Sequence, residues 1–85
     1  MKTKKDQLLV DFGKYIAKVR RADGIKSQEE FGKLAKLHRT YIGMIERGEK
    51  NITLKSIQKI AKVFDRDIWD FFSLLIKIRD NKDEK

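Results

Sequence analysis

The sequence contains no cysteine and no proline, and His38 is its only histidine. Without cysteine the chain forms no disulfide and offers no thiolate ligand, which is typical of proteins of a reducing cytoplasm. A single histidine without cysteine also leaves the usual zinc sites and nucleophilic triads without their parts. We therefore expect a cytoplasmic protein that is not an enzyme and that uses no cofactor or metal ion.

Long apolar runs are missing as well. No stretch approaches the roughly 20 apolar residues that a membrane-spanning helix needs. Residues 1–5 are basic, but no apolar core or small-residue cleavage site follows them, so we do not expect a signal peptide. The 85 residues predict a single domain, 1–85, with a modest core that dimerisation would help to stabilise.

Acidic residues are few compared with basic ones. The chain has 21 lysines and arginines against 13 aspartates and glutamates, which gives a formal net charge of +8. An excess of this size favours a polyanionic partner such as nucleic acid. A lysine-rich surface that only keeps the protein in solution explains the same charge, so charge alone does not decide the function.

Apolar residues recur at helical spacing, and no stretch alternates for long enough to predict a strand. The pattern predicts an all-α domain of five helices. The first covers about 6–23 and ends before Gly24, and the second and third share the segment 27–48. The fourth follows Thr53 and the fifth, about 67–79, follows Asp67, both typical N-caps. Residues 80–85 form a charged tail that we expect to fray.

The same periodicity predicts which residues face the core. They are Leu9, Phe12, Ile16, Val19, Phe31, Leu34, Ala35, Ile42, Ile45, Leu54, Ile57, Ile60, Ala61 and Phe64. Gly13 interrupts the first helix at a cost of about 1 kcal/mol relative to alanine. Its presence indicates either close packing against a neighbouring element or a tolerated weak position.

The segment 27–48 predicts two short helices joined by a tight turn. Ser27 and Glu30 have the spacing of a capping box at the start of the first of them. The second starts near Arg39 and turns Ile42 and Ile45 inward, with Tyr41 beside them. Its outward side is polar and basic and carries Arg39, Thr40, Gly43, Met44 and Arg47. A short helix with this strip suits the major groove of DNA, which is about 12 Å wide.

These residues resemble the helix-turn-helix of the lambda-repressor and Cro-like family. Gln28 opens the first helix, Glu46-Arg47-Gly48 closes the second, and residues 50–54 lead into a packing helix. The sequence is still more similar to the controller proteins of restriction-modification systems, which have a similar Arg-Thr-Tyr-Ile, here 39–42, and a similar aromatic and aliphatic run, here 71–77. The resemblance covers roughly 9–78 and implies a five-helix lambda-repressor-like fold that binds DNA.

Two positions depart from the family pattern. The family usually has glycine where this chain has Lys36, at a point of the turn where the backbone is expected to be left-handed. A lysine there costs roughly 1–2 kcal/mol unless the turn differs. At Lys50 the controllers often have an arginine that reaches bases. Lysine keeps the charge but lacks the planar guanidinium, so we assign it to the DNA backbone.

Four residues of the third helix are expected to contact bases. Arg39 is able to donate two parallel hydrogen bonds to guanine O6 and N7, although a phosphate is an alternative partner. Thr40 offers a hydroxyl and a methyl group to a base edge. Gly43 permits close approach of the nucleic acid or of the second helix. Met44 fits a thymine methyl group or, alternatively, packs on a neighbouring helix.

Other polar residues are expected to contact the DNA backbone. Gln28 lies at a helix N-terminus, where N–H groups and the helix dipole favour a phosphate, and the resemblance supports this role. The Tyr41 hydroxyl reaches for a phosphate unless the whole side chain belongs to the core. The complete expected set is Gln28, Tyr41, Arg47, Lys50, Asn51, Thr53 and Ser56.

The fifth helix is apolar around more than half of its circumference. A helix on the outside of a small bundle buries only about half, so we expect the remainder to meet a second copy of the chain. The predicted dimer contacts are Trp69, Phe71, Leu74, Leu75 and Ile78. A twofold dimer presents two recognition helices to successive major grooves about 34 Å apart. Alternatively, the extra apolar surface caps the core or binds a different protein.

The sequence thus predicts a homodimeric transcriptional regulator that binds an inverted-repeat DNA operator. The resemblance implies the controller of a restriction-modification system. Such a protein binds its own promoter region, where it occupies adjacent operators and contacts RNA polymerase, and it activates at low concentration and represses at higher concentration. A phage-type repressor has the same architecture. An antitoxin, with a toxin docked on the fifth helix, is an alternative of a different class.

Overall fold

The computed structural model describes residues 6–81, and no strand occurs in this part of the chain. The elements are α1 (Gln7–Ala22), α2 (Gln28–Ala35), α3 (Arg39–Glu46), α4 (Leu54–Val63) and α5 (Ile68–Asp80). The predicted all-α fold of five helices is confirmed. Between residues 6 and 81 no helix is long and apolar enough to cross a membrane. The expectations for residues 1–5 and for residues 82–85 of the tail concern positions outside the described residues.

Every helix begins at a side chain that accepts a hydrogen bond from an N–H of the first turn. These N-caps are Asp6, Ser27, His38, Thr53 and Asp67. Ser27 Oγ accepts from the Glu30 N–H at 3.0 Å, which is one half of the predicted capping box. At α3, His38 Nδ1 accepts from the Thr40 N–H at 3.0 Å, so the imidazole acts as the N-cap of this helix.

The turn between α2 and α3 places Lys36 in the left-handed region, with φ 61° and ψ 42°. The backbone therefore has the conformation expected for this position of the family, and a lysine occupies it. The Lys36 side chain is exposed, so its packing does not repay the strain. The turn carries a local cost in the native state.

Replacing Lys36 by glycine is therefore expected to raise the free energy of unfolding by about 1 kcal/mol. Urea denaturation of the variant measures the change. The matched control is Lys33→Gly, at an exposed position inside α2, which is expected to lower the free energy of unfolding by about 1 kcal/mol. Equal losses in both variants would show that Lys36 is unstrained.

The core lies where the five helices meet. Its largest fully buried side chains are Phe31, Phe71, Ile16, Ile42 and Ile60. The Phe64 ring lies 5.8 Å from the Phe31 ring and 5.7 Å from the Phe71 ring, so aromatic contacts connect α2, the end of α4 and α5. This packing holds α2 and α3 against the rest of the domain.

Two residues assigned to the core by periodicity are exposed instead. Leu34 and Leu54 have exposed fractions of 52% and 66%. On α2, which has only eight residues, Phe31 and Ala35 fill the buried face and Leu34 lies beside it. Leu54 is the first residue of α4 and lies one turn before Ile57, the first buried residue of that helix. Both leucines have the helical spacing of core residues, but the packed surface of the domain does not extend to them.

Two glycines allow α1 and the end of α3 to touch backbone to backbone. A Cβ on Gly13 would collide with the carbonyl oxygen of Ile45 and lie 2.9 Å from that of Glu46. Gly48, at φ 76°, follows α3, and a Cβ there would lie 2.6 Å from Val10 Cα. Gly13 is thus a position of close packing, and α1 fixes the direction of α3.

Candidate nucleic-acid interface

A shallow groove lies between α3 and the first residue of α2. It is lined by Gln28, Arg39, Thr40, Gly43 and Arg47. Arg39, Thr40 and Arg47 are exposed, and Met44 is half-buried beside them. The structure thus brings together three residues predicted to contact bases and two predicted to contact the DNA backbone. Their contacts with DNA stay predictions.

Gly43 is the position where α2 and α3 approach most closely in this groove. A Cβ there would lie 3.1 Å from Gln28 Oε1 and 3.0 Å from Arg47 Nη1. Both atoms are ends of flexible side chains rather than backbone. The sequence left open whether Gly43 permits close approach of the nucleic acid or of the second helix. The structure shows close approach of an α2 side chain, because Gly43 of α3 leaves room for Gln28.

Arg39 forms an exposed ion pair with Glu29 of α2. Arg39 Nη1 lies 3.4 Å from Glu29 Oε1, and the two side chains are 64% and 57% exposed. A pair of this kind contributes no more than about 1 kcal/mol, because water screens both charges. A base or a phosphate is therefore able to replace Glu29 at small cost, and Arg39 is available to DNA.

Arg47, the C-cap residue of α3, pairs with Glu49. Arg47 Nε lies 3.1 Å from Glu49 Oε2. The hydrogen bond that Arg47 donates to Glu49, and after it the negative charge of Glu49, raise the pKa of Arg47 above the ordinary arginine value. Arg47 therefore places a positive charge at the edge of the groove, paired with the negative charge of Glu49.

The loop after α3 carries the remaining residues predicted to contact the backbone. Lys50 and Asn51 are exposed. Lys50 Nζ lies 5.8 Å from the centroid of the half-buried Tyr41 ring, a cation–π arrangement. Thr53 Oγ1 accepts from the Ser56 N–H and donates to Ser56 Oγ, both at 3.1 Å. Thr53 thus caps α4. The Lys50 ammonium lies against the Tyr41 ring, so these two side chains are neighbours on the surface.

A buried ion pair that the sequence did not predict lies under the groove. Arg20 of α1 donates from Nε to Glu46 Oε2 at 2.8 Å and from Nη2 to Glu46 Oε1 at 3.1 Å. Gln28 Nε2 donates to the same Glu46 Oε1 at 2.9 Å. The signal in the sequence was Arg20, which adjoins the apolar stripe of α1. A charge that is buried on this side of the helix needs a partner of opposite charge.

The dimer contacts predicted on α5 need correction. Phe71 and Leu75 are 0% and 6% exposed and lie in the core of their own protomer, so they offer no surface to a partner. Leu74 and Ile78 are half-buried and line a cleft with residues of α1 and of the segment that follows α4. Of the predicted set, Trp69 is exposed, at 69%. Periodicity could not tell which sector of a largely apolar helix faces its own core.

The apolar surface that α5 leaves accessible is instead formed by the exposed Trp69 and Ile76 and the half-buried Phe72, which we call the α5 patch. The Trp69 and Phe72 rings meet edge to face with centroids 6.0 Å apart. Ile76 is 50% exposed, and Leu8 of α1 lies across an apolar groove that Phe72 and Ile76 also line. The spacing of 69, 72 and 76 along one helical face was the signal that sequence reasoning passed over.

Comparison with known proteins gives a consistent result. Residues 16–68 match the helix-turn-helix family. The chain is 39% identical over 66 residues to control protein C.BamHI of Bacillus amyloliquefaciens, covering 74% of this chain and 82% of that protein. It is 31% identical over 68 residues to control protein C.MunI of Mycoplasma sp, covering 80% and 92%.

Solved structures agree. The fold is similar to that of the restriction-modification controller protein C.AhdI from Aeromonas hydrophila, with a TM-score of 0.72 and 37% identity over 79% of this chain and 100% of that one. It is also similar to wild-type C.Esp1396I, another restriction-modification controller protein, with a TM-score of 0.71 and 38% identity over 85% of this chain and 92% of that one.

Proposed function

We propose that this chain, which belongs to the helix-turn-helix family of restriction-modification controller proteins, controls a restriction-modification system. In this proposal it acts as a homodimer bound to an inverted-repeat operator. The observation that carries the proposal is the groove on α3, where Arg39, Thr40 and Arg47 are exposed beside Gln28. The net charge of +8 supports a DNA partner and hence a place of action in the cytoplasm.

In this proposal α3 enters the major groove and its exposed side chains read base edges. Arg39 binds a guanine, while Thr40 and Met44 contact base edges or thymine methyl groups. Gly43 leaves room for the Gln28 side chain beside α3. The phosphates that flank the major groove are bound by Gln28, Tyr41, Arg47, Lys50, Asn51 and Ser56. Thr53 holds the Ser56 hydroxyl in place through its hydrogen bond.

Two protomers join through the α5 patch and the adjoining Leu8. Trp69, Phe72 and Ile76 supply apolar surface that one protomer leaves in water, and burying it stabilises the dimer. Phe71 and Leu75 support the patch from behind. A twofold axis at this surface would present two α3 helices to major grooves about 34 Å apart.

Dimer formation depends on protein concentration, and so does occupancy of the operator. On this basis we propose that concentration is the signal: the protein binds near its own promoter, activates transcription at low concentration by contacting RNA polymerase and represses it at higher concentration. The names of its relatives as control and controller proteins support a regulatory role. Promoter fusions measured at graded protein concentration test this order of events.

The α5 patch also fits an antitoxin whose toxin covers it. The two functions differ in what is isolated with the chain. A homodimer that binds DNA without a second polypeptide supports the controller. A stable complex with a second protein that excludes a second copy of the chain supports the antitoxin.

The proposed roles of Arg39 and Lys50 predict different defects. Arg39→Ala is expected to weaken operator binding by about 1–3 kcal/mol per half-site and to relax the base preference at one position. Lys50→Ala is expected to weaken binding to all sequences alike and to reduce the slope of log K against log salt by about 1 per half-site. Fluorescence anisotropy titrations at several salt concentrations measure both. An unchanged base preference in Arg39→Ala would assign Arg39 to a phosphate.

A further inference from the structure

A buried chain of hydrogen bonds holds the side-chain amide of Gln28. Gln28 Nε2 donates to Glu46 Oε1 at 2.9 Å, and Glu46 accepts from Arg20 through both oxygens at 2.8 and 3.1 Å. The Arg20 and Glu46 side chains are 6% and 5% exposed. Gln28 lines the groove between α2 and α3, whereas Arg20 and Glu46 are buried beneath it. The chain of bonds therefore connects α1 and α3 to the first residue of α2.

Glu46 decides which way the Gln28 amide faces. An ionised carboxylate only accepts hydrogen bonds, so it takes the NH₂ side of the amide. The reversed amide would set its oxygen against the carboxylate and lose the bond. Gln28 Oε1 lies instead over Gly43, 3.1 Å from where a Cβ would be. One N–H of the amide is engaged, and the second remains for a ligand.

Arg20 in turn keeps Glu46 in place. Its guanidinium binds both carboxylate oxygens and also donates from Nη1 to the carbonyl oxygen of Ile25 at 3.0 Å. Such a doubly bonded pair has a fixed geometry. The positive charge of Arg20 also offsets the negative charge of Glu46, which would otherwise repel a phosphate at the groove.

We propose that Glu46 and Arg20 are positioning residues for operator binding. Glu46 orients the Gln28 amide so that its second N–H is directed to a DNA phosphate, and Arg20 fixes Glu46. Neither residue touches the DNA. This inference rests on the proposed function and deepens it by naming the buried residues that prepare the phosphate contact of Gln28.

The decisive variant removes the ion pair and keeps the packing. Arg20→Met combined with Glu46→Leu replaces both charges by apolar side chains, an exchange that proteins often tolerate without loss of stability. We expect this protein to unfold cooperatively in urea but to bind the operator about tenfold more weakly than the native protein, the same loss as in Gln28→Ala. Adding Gln28→Ala to the pair replacement is expected to cause no further loss.

Two binding results would overturn the positioning role. One is native affinity in the pair-replaced protein. The other is a Gln28→Ala effect of the same size in the native and the pair-replaced backgrounds, since the amide would then act without Glu46. Lack of sequence preference in the native protein would overturn the proposed function together with this inference, whereas failure of the positioning role alone leaves native operator binding intact.

A measurement on the native protein keeps the test independent of how the variants fold. The side-chain amide protons of Gln28 in NMR spectra are expected to have well-separated shifts in the free protein, with one bonded to Glu46, and the second proton is expected to shift on operator binding. Gln58, exposed on α4, is the matched control with ordinary amide shifts. A Gln28 amide that behaves like Gln58 would contradict the inference.

Discussion

Replacing Phe71 by alanine is expected to lower the free energy of unfolding by about 3–5 kcal/mol. Phe71 is 0% exposed, and its ring stacks on Phe64 with centroids 5.7 Å apart. Removing the ring leaves a cavity between α4 and α5 that the surrounding helices fill only in part. Because a small domain is stable by only about 5–15 kcal/mol, this loss removes a large part of the free energy of unfolding. Urea denaturation at two protein concentrations measures the loss.

The matched control is Trp69→Ala, two residues earlier on the same helix. Trp69 is exposed in the protomer, so we expect its removal to change protomer stability by about 0.5 kcal/mol or less and to raise the dimer dissociation constant instead. Analytical ultracentrifugation measures that constant. If Phe71→Ala dissociated the dimer and left the protomer as stable as before, Phe71 would belong to the dimer interface after all.

The second large effect is expected at the buried ion pair. Glu46→Leu alone leaves the Arg20 guanidinium buried without its carboxylate, and breaking such a pair lowers the free energy of unfolding by about 3–5 kcal/mol. Combining it with Arg20→Met removes the uncompensated charge, so most of the stability is expected to return. Thermal unfolding of the two single variants and the double variant completes a double-mutant cycle that gives the coupling energy.

Glu29→Leu provides the control for this cycle, because it breaks a pair of the same chemical type on the surface. Arg39 and Glu29 are more than half exposed, so we expect a loss of no more than about 1 kcal/mol. Similar losses in Glu29→Leu and Glu46→Leu would mean that burial does not strengthen the Arg20–Glu46 interaction, and the role of this pair as a rigid support would be wrong.

The helices and their starting points were predictable because their signals are local. Ser27, Thr53 and Asp67 each accept from an N–H group three residues away, so a cap is visible in a short stretch of sequence. The left-handed backbone at position 36 was predicted from the resemblance, and Lys36 adopts this conformation although it is not glycine. The outward strip of α3 followed from the spacing of Ile42 and Ile45.

Features that depend on distant parts of the chain were missed. Arg20 and Glu46 are 26 positions apart, and nothing local indicates that they meet. On α5, the apolar residues surround the helix, and only the packing of α1 and α4 decides that Phe71 is buried while Trp69 is exposed. Periodicity gives the angle of a residue on its helix but not the neighbour at that angle.

The candidate site was predictable to a similar degree. Arg39, Thr40 and Gly43 were selected from helical spacing and do line one groove with Gln28. The hydrogen bond from Gln28 to Glu46 was not predicted, although it determines the orientation of the Gln28 side-chain amide. Which bases the groove contacts depends on the docking angle and on DNA bending, which neither the sequence nor the protein alone determines.

The most direct test of a dimeric operator-binding controller is selection of bound sequences from a randomised duplex pool by the native protein at about 0.15 M ionic strength. The expected result is a twofold-symmetric site with a guanine preference in each half-site and half-site centres about 34 Å apart, one turn of the double helix. Enrichment of no sequence, or of a single asymmetric half-site, would contradict it.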